Sequence, residues 1–306
     1  MTLIPLPLFK TSQFSSSPFQ QNSVVLTLEF RSKLMNKKSP KAEQTCIVKE
    51  ARIAYTDSGK GFPNVVLLHG FLESKTIWAD YVKELSARFR VITIDLPGHG
   101  QTEDIGYYHS MELMADVVHG VMHHLGLRRY FMVGHSMGGY VSLAFAQKYP
   151  ASLKGICLFN STAMPDDAAR KKVRDKAIKV AKKDHLKYVE VTLEGFFSAD
   201  FRKKNDKKIA ALIETAQAIS AKGIVACLHG MKDRPGYLDM LAESNLPVLF
   251  IAGENDKTVP LESLRLQAGK VPNSTLAVIA DCGHIGYLEK PHQCLKALKK
   301  FILKNN

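Results

Sequence analysis

The sequence predicts an α/β protein with a doubly wound, mostly parallel β-sheet that is covered by helices on both faces. Short, unbroken apolar runs recur along the chain, and such runs indicate strands that are buried on both faces. Helical stretches separate these runs, and this alternation is typical of parallel sheets. We expect strands at 65–68, 91–94, 130–133, 155–159, 247–251 and 275–279.

The secondary structure of two further segments of the core can be predicted from their sequences. Residues 47–54 precede a glycine-containing turn, and we expect them to form an antiparallel edge strand or hairpin. Residues 110–125 have helical spacing, with Ser110 as a suitable N-cap and Gly126 as a stop. These segments fit around the parallel strands without changing the fold class.

One long segment, residues 164–243, breaks the alternation. It contains no convincing strand, is rich in Lys, Ala and Asp, and has helical spacing, from which we expect four helices at 165–184, 186–198, 203–221 and 223–232. An all-helical insertion between two strands predicts a cap laid over one end of the sheet. The predicted organisation is therefore a core of 45–163 and 244–306 with a cap of 164–243.

Residues 1–44 are expected to be an extension that is either disordered or absent from the native protein. A secretory signal is not expected, because Lys10 follows the apolar stretch and residues 11–21 are polar. Met35 begins a sequence that resembles a natural start, so our hypothesis is that translation begins there. The intact mass of natively expressed protein tests it, since a mass that includes residues 1–34 contradicts it.

The overall composition excludes several classes of protein. The 306 residues are 45% hydrophobic and 23% charged, which rules out a disordered tail, a collagen-like fibre and a disulfide scaffold. No apolar run reaches the roughly 18–20 residues of a membrane-spanning helix. Five irregularly spaced cysteines indicate free thiols in a reducing compartment, and hence a cytoplasmic protein.

The net charge of +13 is the one unusual number. Such a charge could indicate a nucleic-acid partner, but the sequence contains no nucleic-acid-binding motif. We therefore expect that the protein does not bind nucleic acid. Residues 164–236 hold 17 Lys and Arg against 10 Asp and Glu, so much of the excess lies in the cap. Solvated lysines explain this most simply; the sharper hypothesis is a basic cap that steers anionic substrates, such as acyl thioesters of a phosphorylated carrier.

The motif that points to chemistry is Gly134-His135-Ser136-Met137-Gly138. It follows a predicted strand directly and precedes a predicted helix, which is the context that a nucleophilic serine on a tight turn requires. Glycines at both ends allow the backbone to approach closely. We therefore predict Ser136 as the nucleophile.

A serine hydroxyl needs an adjacent base, and the base needs an orienting acid. Asp256 and His284 each follow a predicted strand, so they lie at the same edge of the sheet as Ser136. We predict Asp256 as the acid and His284 as the base. Glu254 is a competing acid and Asp281 a weaker one.

Backbone N–H groups are predicted to stabilise a tetrahedral oxyanion. Gly70 allows a tight turn after the strand at 65–68, so that the N–H of Phe71 can point into the site. With the N–H of Met137 it would form the donor pair. His69 is predicted to be structural.

These residues together resemble the α/β-hydrolase superfamily. The resemblance spans about residues 45–303 and is carried by His69-Gly70, the loop Asp95-Leu96-Pro97-Gly98-His99-Gly100, the serine motif with Gly139, Asp256 with Val259-Pro260, and Gly283-His284. It implies an eight-stranded sheet with a helical cap after the sixth strand. It also implies structural roles for Asp95 and His99.

The resemblance implies hydrolysis of a small to medium acyl ester or thioester through an acyl-enzyme, without metal or cofactor. The expected partner is a small-molecule acyl substrate, and the protein is expected to be a monomer or homodimer. Two alternatives stay open: hydrolysis or lysis of a carbon–carbon bond, and a ligand-binding signalling module with an intact triad. Candidate pocket residues, beside Phe71 and Met137, are Leu72, Trp78, Tyr140, Met164, Phe196, Phe197 and Ile285.

Overall fold

The structure is a computed structural model that describes residues 43–57 and 60–306. The predictions for residues 1–34, including a start at Met35, lie outside the described residues. The compact unit begins at Glu43, and its first strand begins at Gln44. These two residues, which the sequence assigned to the extension, therefore belong to the folded unit.

Eight strands form one sheet in the order β1-β2-β4-β3-β5-β6-β7-β8. β1 pairs with β2 and β2 with β4 in antiparallel orientation, and the other neighbouring pairs are parallel. The predicted fold class is confirmed, with a hairpin at the predicted edge. The strands are β1 (Gln44–Val48), β2 (Ala51–Asp57), β3 (Asn64–Leu68), β4 (Arg90–Ile94), β5 (Tyr130–His135), β6 (Leu153–Phe159), β7 (Val248–Gly253) and β8 (Ser274–Ile279).

Helices connect the parallel strands and cover the sheet. Those of the core are α1 (Ala79–Leu85), α2 (Met111–His124) and α3 (Met137–Lys148) before the insertion. The insertion between β6 and β7 holds α4 (Ala168–Lys183), α5 (His185–Phe196), α6 (Ala199–Arg202), α7 (Asp206–Gln217), α8 (Ala221–Asp233) and α9 (Leu238–Glu243). The remaining helices are α10 (Leu261–Lys270), α11 (Gly286–Glu289) and α12 (Pro291–Lys304).

The core consists of two apolar layers, one on each face of the sheet. In β3, Val66 and Leu68 pack in the layer that includes α2 and α3, whereas Val65 and Leu67 pack in the layer that includes α1 and α12. All four side chains are fully buried. The unbroken apolar run of β3 therefore reflects cover on both faces, whereas the run at 275–279 does not, because β8 is an edge strand in which only Ile279 is buried.

The inserted helices lie against loops at the carboxyl ends of the strands. The carbonyl of Phe196 at the end of α5 accepts a hydrogen bond from the N–H of His284, at 2.9 Å, and the carbonyl of Ala226 in α8 accepts one from His109, at 3.1 Å. The sequence missed α6 and α9. The caps explain the first, since Ser198 accepts from the N–H of Phe201 and starts a separate short helix.

Parallel register brings the ends of the central strands together. Leu68 at the end of β3 pairs with Gly134 in β5, and His135 pairs with Phe159 at the end of β6. The segments that follow these strands therefore meet at one edge, beneath the inserted helices.

Within the described residues no single helix has the length and apolar character to cross a membrane; α7 and α8 meet these criteria only jointly, as a pair bent by 96°. All five cysteines are buried and free.

Candidate active site

Ser136 occupies a sharp turn between β5 and α3, with φ of 47° and ψ of −110°. The turn brings Gly134 so close to Gly138 that a Cβ on Gly134 would lie 2.2 Å from the carbonyl of Gly138. The Ser136 N–H donates to the carbonyl of Phe159 at 2.9 Å, and Ser161 Oγ donates to the carbonyl of Ser136 at 2.7 Å. The strained serine is thus held at the start of a helix.

His284 and Asp256 lie in line with this serine. His284 Nε2 is 2.9 Å from Ser136 Oγ, and His284 Nδ1 is 2.8 Å from Asp256 Oδ2. Both side chains of the pair are buried, whereas Ser136 is partly exposed. The structure therefore brings together the three residues that the sequence predicted as a triad.

The Asp256 carboxylate is fixed by several donors. Its Oδ1 accepts from the N–H groups of Thr258 and Val259 at 2.8 and 2.9 Å, and its Oδ2 accepts from Asn160 Nδ2 at 3.0 Å. Burial alone would raise the pKa of Asp256, but the neighbouring His284 and these hydrogen bonds lower it below its usual range. The carboxylate therefore stays ionised and orients the imidazole.

The two competing acids lie elsewhere. Glu254 and Asp281 are exposed, and the Glu254 carboxylate accepts a hydrogen bond from the N–H of Asp281 at 3.1 Å. No bond from either one to His284 exists within the described part of the chain. Asp256 is the acid that the geometry favours.

The predicted oxyanion donors flank Ser136. Phe71 follows β3 and borders the same cavity as Ser136, and Met137 is the first residue of α3. Neither N–H donates to any residue that the structure describes, so both can serve a bound oxygen. The following Leu72 has φ of 63°, which turns the chain back into the core.

A buried ion pair that no sequence pattern predicts lies behind these elements. Glu73 Oε2 is 2.9 Å from His135 Nδ1 and accepts from the N–H of Gly70, while Glu73 Oε1 accepts from Tyr287 at 3.0 Å. His135 Nε2 is 3.0 Å from the carbonyl of His284. The cluster thus joins the loop after β3, the serine turn and the base.

The two charges of this pair sustain each other. Burial by itself would raise the pKa of Glu73, but His135 lowers it; burial would lower the pKa of His135, but Glu73 raises it. Each group therefore favours the charged form of the other. No signal in a single sequence links these partners, which are 62 positions apart.

The residues predicted to be structural brace neighbouring loops. His69 Nε2 accepts from the N–H of Leu96 at 2.9 Å. Asp95 forms an ion pair with Lys75 at 2.6 Å. The His99 ring lies against that of His69, with 5.1 Å between centroids.

A cavity of about 400 Å³ opens beside Ser136. Phe71, Tyr140 and Phe196 line it, as the sequence predicted. The Phe196 ring also lies against that of His284, with 4.9 Å between centroids. The other lining residues are Arg170, Val173, Arg174, Ala177, Tyr188, Thr192, Met231 and Thr258.

Six predicted pocket residues do not line this cavity. Leu72, Met137 and Ile285 are fully buried in the core, and Trp78 packs there against Tyr81, Phe159 and Tyr287. Phe197 stacks on Phe201 beside a separate cavity, and Met164 is exposed. Proximity in sequence to the catalytic loops did not distinguish a side chain that turns inward from one that reaches the cavity.

The cavity residues that the sequence missed are mostly on the insertion. Arg170, Val173, Arg174 and Ala177 stand at positions i, i+3, i+4 and i+7 of α4, a spacing that places them on one helix face. That spacing could have predicted a helix face that borders the cavity. The many lysines of the helix, however, favour the prediction that it is exposed to solvent. Among residues 43–57 and 60–306, no group of three His, Cys, Asp or Glu side chains is arranged to hold a metal ion.

The site can now be compared with known proteins. The family model described as alpha/beta hydrolase fold matches residues 63–291. The chain is 30% identical over 269 residues to a 2-hydroxy-6-oxononadienedioate/2-hydroxy-6-oxononatrienedioate hydrolase of Burkholderia vietnamiensis, covering 83% of this chain and 91% of that protein.

Solved structures give the same fold. A thermophilic esterase from Thermogutta terrifontis superposes with a TM-score of 0.81 at 30% identity, covering 86% of this chain and 98% of that one. An enol-lactonase from Burkholderia xenovorans superposes with a TM-score of 0.80 at 21% identity, covering 85% and 100%, and this similarity shows the fold alone.

Proposed function

Because this chain belongs to the α/β-hydrolase fold family, we propose that it hydrolyses a small to medium acyl ester or thioester through a covalent acyl-enzyme. The observation that carries the proposal is the chain of contacts from Ser136 Oγ through His284 to Asp256, at 2.9 and 2.8 Å. This arrangement supplies an activated nucleophile, a base and a group that orients the base.

The first half of the reaction acylates the serine. Ser136 Oγ attacks the carbonyl carbon while His284 Nε2 takes its proton, and Asp256 stabilises the imidazolium. The tetrahedral intermediate collapses when the bond to the leaving group breaks. His284 returns the proton to the departing alcohol or thiol.

The second half releases the acid. Water attacks the acyl carbon, His284 takes one of its protons, and the bond to Ser136 Oγ breaks as that oxygen is reprotonated. In both halves the N–H groups of Phe71 and Met137 donate to the oxygen on which negative charge develops. Such donors stabilise the transition state more than the neutral carbonyl.

Turnover of 4-nitrophenyl butyrate tests this proposal. We expect Ser136→Ala to lower kcat/KM by more than about 10³-fold, because the nucleophile is removed while the fold is kept. Turnover that survives in Ser136→Ala would contradict the proposed nucleophile. A wild-type protein that binds esters without turning them over would favour the ligand-binding alternative.

A carbon–carbon bond is the second candidate, on the strength of the bacterial relative. The compound in that relative's name has a ketone and two carboxylates but no ester, so its hydrolysis breaks a carbon–carbon bond. Ser136 would attack the ketone in the same way. The proton that an ester reaction delivers to the departing alcohol oxygen would then go to the departing carbon. Loss of the dienol absorbance on mixing with such a dioate tests this reaction directly.

Comparison of the two rates decides between the candidates. If kcat/KM for the dioate exceeds that for the ester and both depend on Ser136, the carbon–carbon bond is the preferred target. Loss of the ester activity alone in Ser136→Ala contradicts a shared nucleophile. That the protein works in the cytoplasm as a monomer or homodimer stays a prediction from the sequence.

A further inference from the structure

The inner face of α4 brings two arginines to the cavity beside Ser136. Arg170 and Arg174 line it together with Val173 and Ala177, while the lysines of the same helix, such as Lys171, point outward and are exposed. The positive charge of this helix therefore divides between a solvated face and a face that meets the substrate cavity.

Arg174 is held in place by a buried acid. Its Nε lies 2.9 Å from Asp166 Oδ2, and Asp166 Oδ1 lies 2.8 Å from Nη1 of Arg234. The Asp166 side chain has no exposed surface, and burial alone would raise its pKa, but the two guanidinium groups lower it. The acid therefore stays ionised and fixes both arginines.

Arg234 is fully engaged in the structure. Its Nη1 also donates to the carbonyl of Met231, its Nη2 donates to the carbonyl of Met164, and its guanidinium stacks on the Tyr140 ring with 3.8 Å to the centroid. Its side chain is only 2% exposed. Arg234 thus braces Asp166 and Tyr140 from behind the cavity wall.

Arg174 is not fully engaged. Its side chain is 21% exposed, and its two Nη groups donate to none of the residues that the structure describes. A guanidinium fixed through Nε with both Nη groups free presents a pair of parallel donors, which matches the two oxygens of a carboxylate.

The charges at this wall do not balance. Asp166 is one carboxylate shared by Arg174 and Arg234, and Arg170, whose Nη2 donates to the carbonyl of Thr258, forms no ion pair with a described residue. The other buried carboxylate near the cavity, Asp256, is already engaged by His284. An anion that entered would therefore meet uncompensated positive charge in a partly dehydrated site.

We propose that Arg174, braced by Asp166 and Arg234 and assisted by Arg170, forms a subsite for a carboxylate carried by the substrate. This inference rests on the proposed function, since it deepens the definition of the substrate at the same serine. Phe71, Phe196 and Met231 line the rest of the cavity with apolar surface. The preferred substrate is thus an acyl compound with an apolar middle and an anionic end.

A matched pair of esters tests the subsite. Mono(4-nitrophenyl) glutarate and 4-nitrophenyl valerate differ by a carboxylate in place of a methyl group. The valerate of 3-hydroxybenzoic acid and phenyl valerate form a second pair, in which the carboxylate lies on the leaving group. We expect wild-type kcat/KM to be higher for one of the anionic esters than for its neutral match by about 10-fold or more. The one that gains shows on which side of the reacting carbonyl the subsite lies.

The variant Arg174→Gln removes the charge and leaves Asp166 paired with Arg234. We expect it to lower kcat/KM for the preferred anionic ester by about 10- to 100-fold, mainly through KM, and to change that for the neutral ester by less than about 3-fold. Lys171→Gln removes one of the several charges on the exposed face of the same helix and should change either value by less than about 2-fold. An equal loss on both esters in Arg174→Gln overturns the subsite.

Binding without chemistry separates this inference from the proposed function. Calorimetry on Ser136→Ala should show that monomethyl glutarate or 3-hydroxybenzoate binds more tightly than methyl valerate. This difference in affinity should be lost in Ser136→Ala/Arg174→Gln. If both anions bind no better than the neutral ester, the subsite is wrong even when Ser136 is the nucleophile. If esters are turned over without Ser136, the proposed function is wrong while the binding result still judges the subsite.

Discussion

The backbone conformation of Ser136 depends on a few close contacts. A left-handed backbone costs a serine about 1–2 kcal/mol, and it persists because Phe159 and Ser161 hold the Ser136 peptide from both sides. Close packing also leaves no room for a side chain at Gly138, where a Cβ would lie 2.6 Å from the carbonyl oxygens of Leu68 and His69. The strain keeps Oγ directed at His284.

Gly138→Ala should therefore disturb both the fold and the site. Its methyl group would press on backbone that leads directly into Phe71, and backbone cannot yield as a flexible side chain can. We expect the free energy of unfolding to fall by about 2 kcal/mol or more, with a loss of kcat/KM. Urea denaturation and the 4-nitrophenyl butyrate assay measure the two effects.

Gly195→Ala is the matched control for this substitution. A Cβ there meets nothing within 4 Å, and the residue lies inside α5. We expect stability to stay the same or to rise by up to about 1 kcal/mol, because alanine favours the helix. Similar losses in both variants would show that close packing around Ser136 is not the cause.

At the scale of elements, the Glu73–His135 pair links three segments that must keep their relative positions. The loop after β3 carries the Phe71 N–H, His135 ends β5 just before Ser136, and the carbonyl of His284 contacts the His135 ring. Because His135 holds its proton more tightly in the folded protein, its contribution to stability is fully present below its unfolded pKa of about 6.5, as long as Glu73 is ionised. That contribution is lost as the pH rises through the raised folded pKa.

Glu73→Gln should remove this pH dependence. We expect the variant to be less stable than wild type by about 3 kcal/mol near pH 5.5, with a difference that shrinks as the pH rises toward about 8.5. Comparing the two proteins at each pH cancels the contributions of the other histidines. Urea denaturation across this range is the measurement.

Glu84→Gln supplies the control for the loss of a carboxylate. Glu84 forms an exposed ion pair with Lys299, so we expect less than about 0.5 kcal/mol of change at any pH in the range. A Glu73→Gln deficit that stays constant from acid to alkaline pH would contradict a charged His135.

Local sequence patterns predict some of these elements and their catalytic residues, but not the contacts between distant segments. Strands and the positions of Ser136, Asp256 and His284 follow from local patterns, because Ser136 directly follows β5, and Asp256 and His284 lie in the loops after β7 and β8 at the same sheet edge. The Glu73–His135 pair depends on contact between distant segments, which no local pattern encodes. The core position of Trp78 likewise depends on distant segments, because Phe159 of β6 and Tyr287 of α11 pack against its ring.

For the whole molecule, the distribution of charge has a simple structural reason. The lysines that give the insertion its excess charge, among them Lys171, Lys172 and Lys179, are exposed. The arginines at 170, 174 and 234 instead turn inward. Composition predicted the excess but not this division, because the direction of each side chain depends on how α4 docks over the sheet.

This arrangement predicts an effect of salt on anionic substrates. Exposed lysines produce a field that salt screens, so kcat/KM for mono(4-nitrophenyl) glutarate should fall several-fold between about 20 and about 200 mM NaCl. The neutral valerate should change little over the same range. Equal dependence of the two esters on salt would contradict steering by the insertion.

Covalent labelling shows whether Ser136 is a nucleophile that His284 activates. Wild-type protein would be treated with a fluorophosphonate and digested, and the modified peptide would be located by mass spectrometry. We expect a single adduct on Ser136 that is absent from Ser136→Ala and forms far more slowly in His284→Ala. An adduct on another residue, or labelling of Ser136→Ala at the wild-type rate, would contradict it.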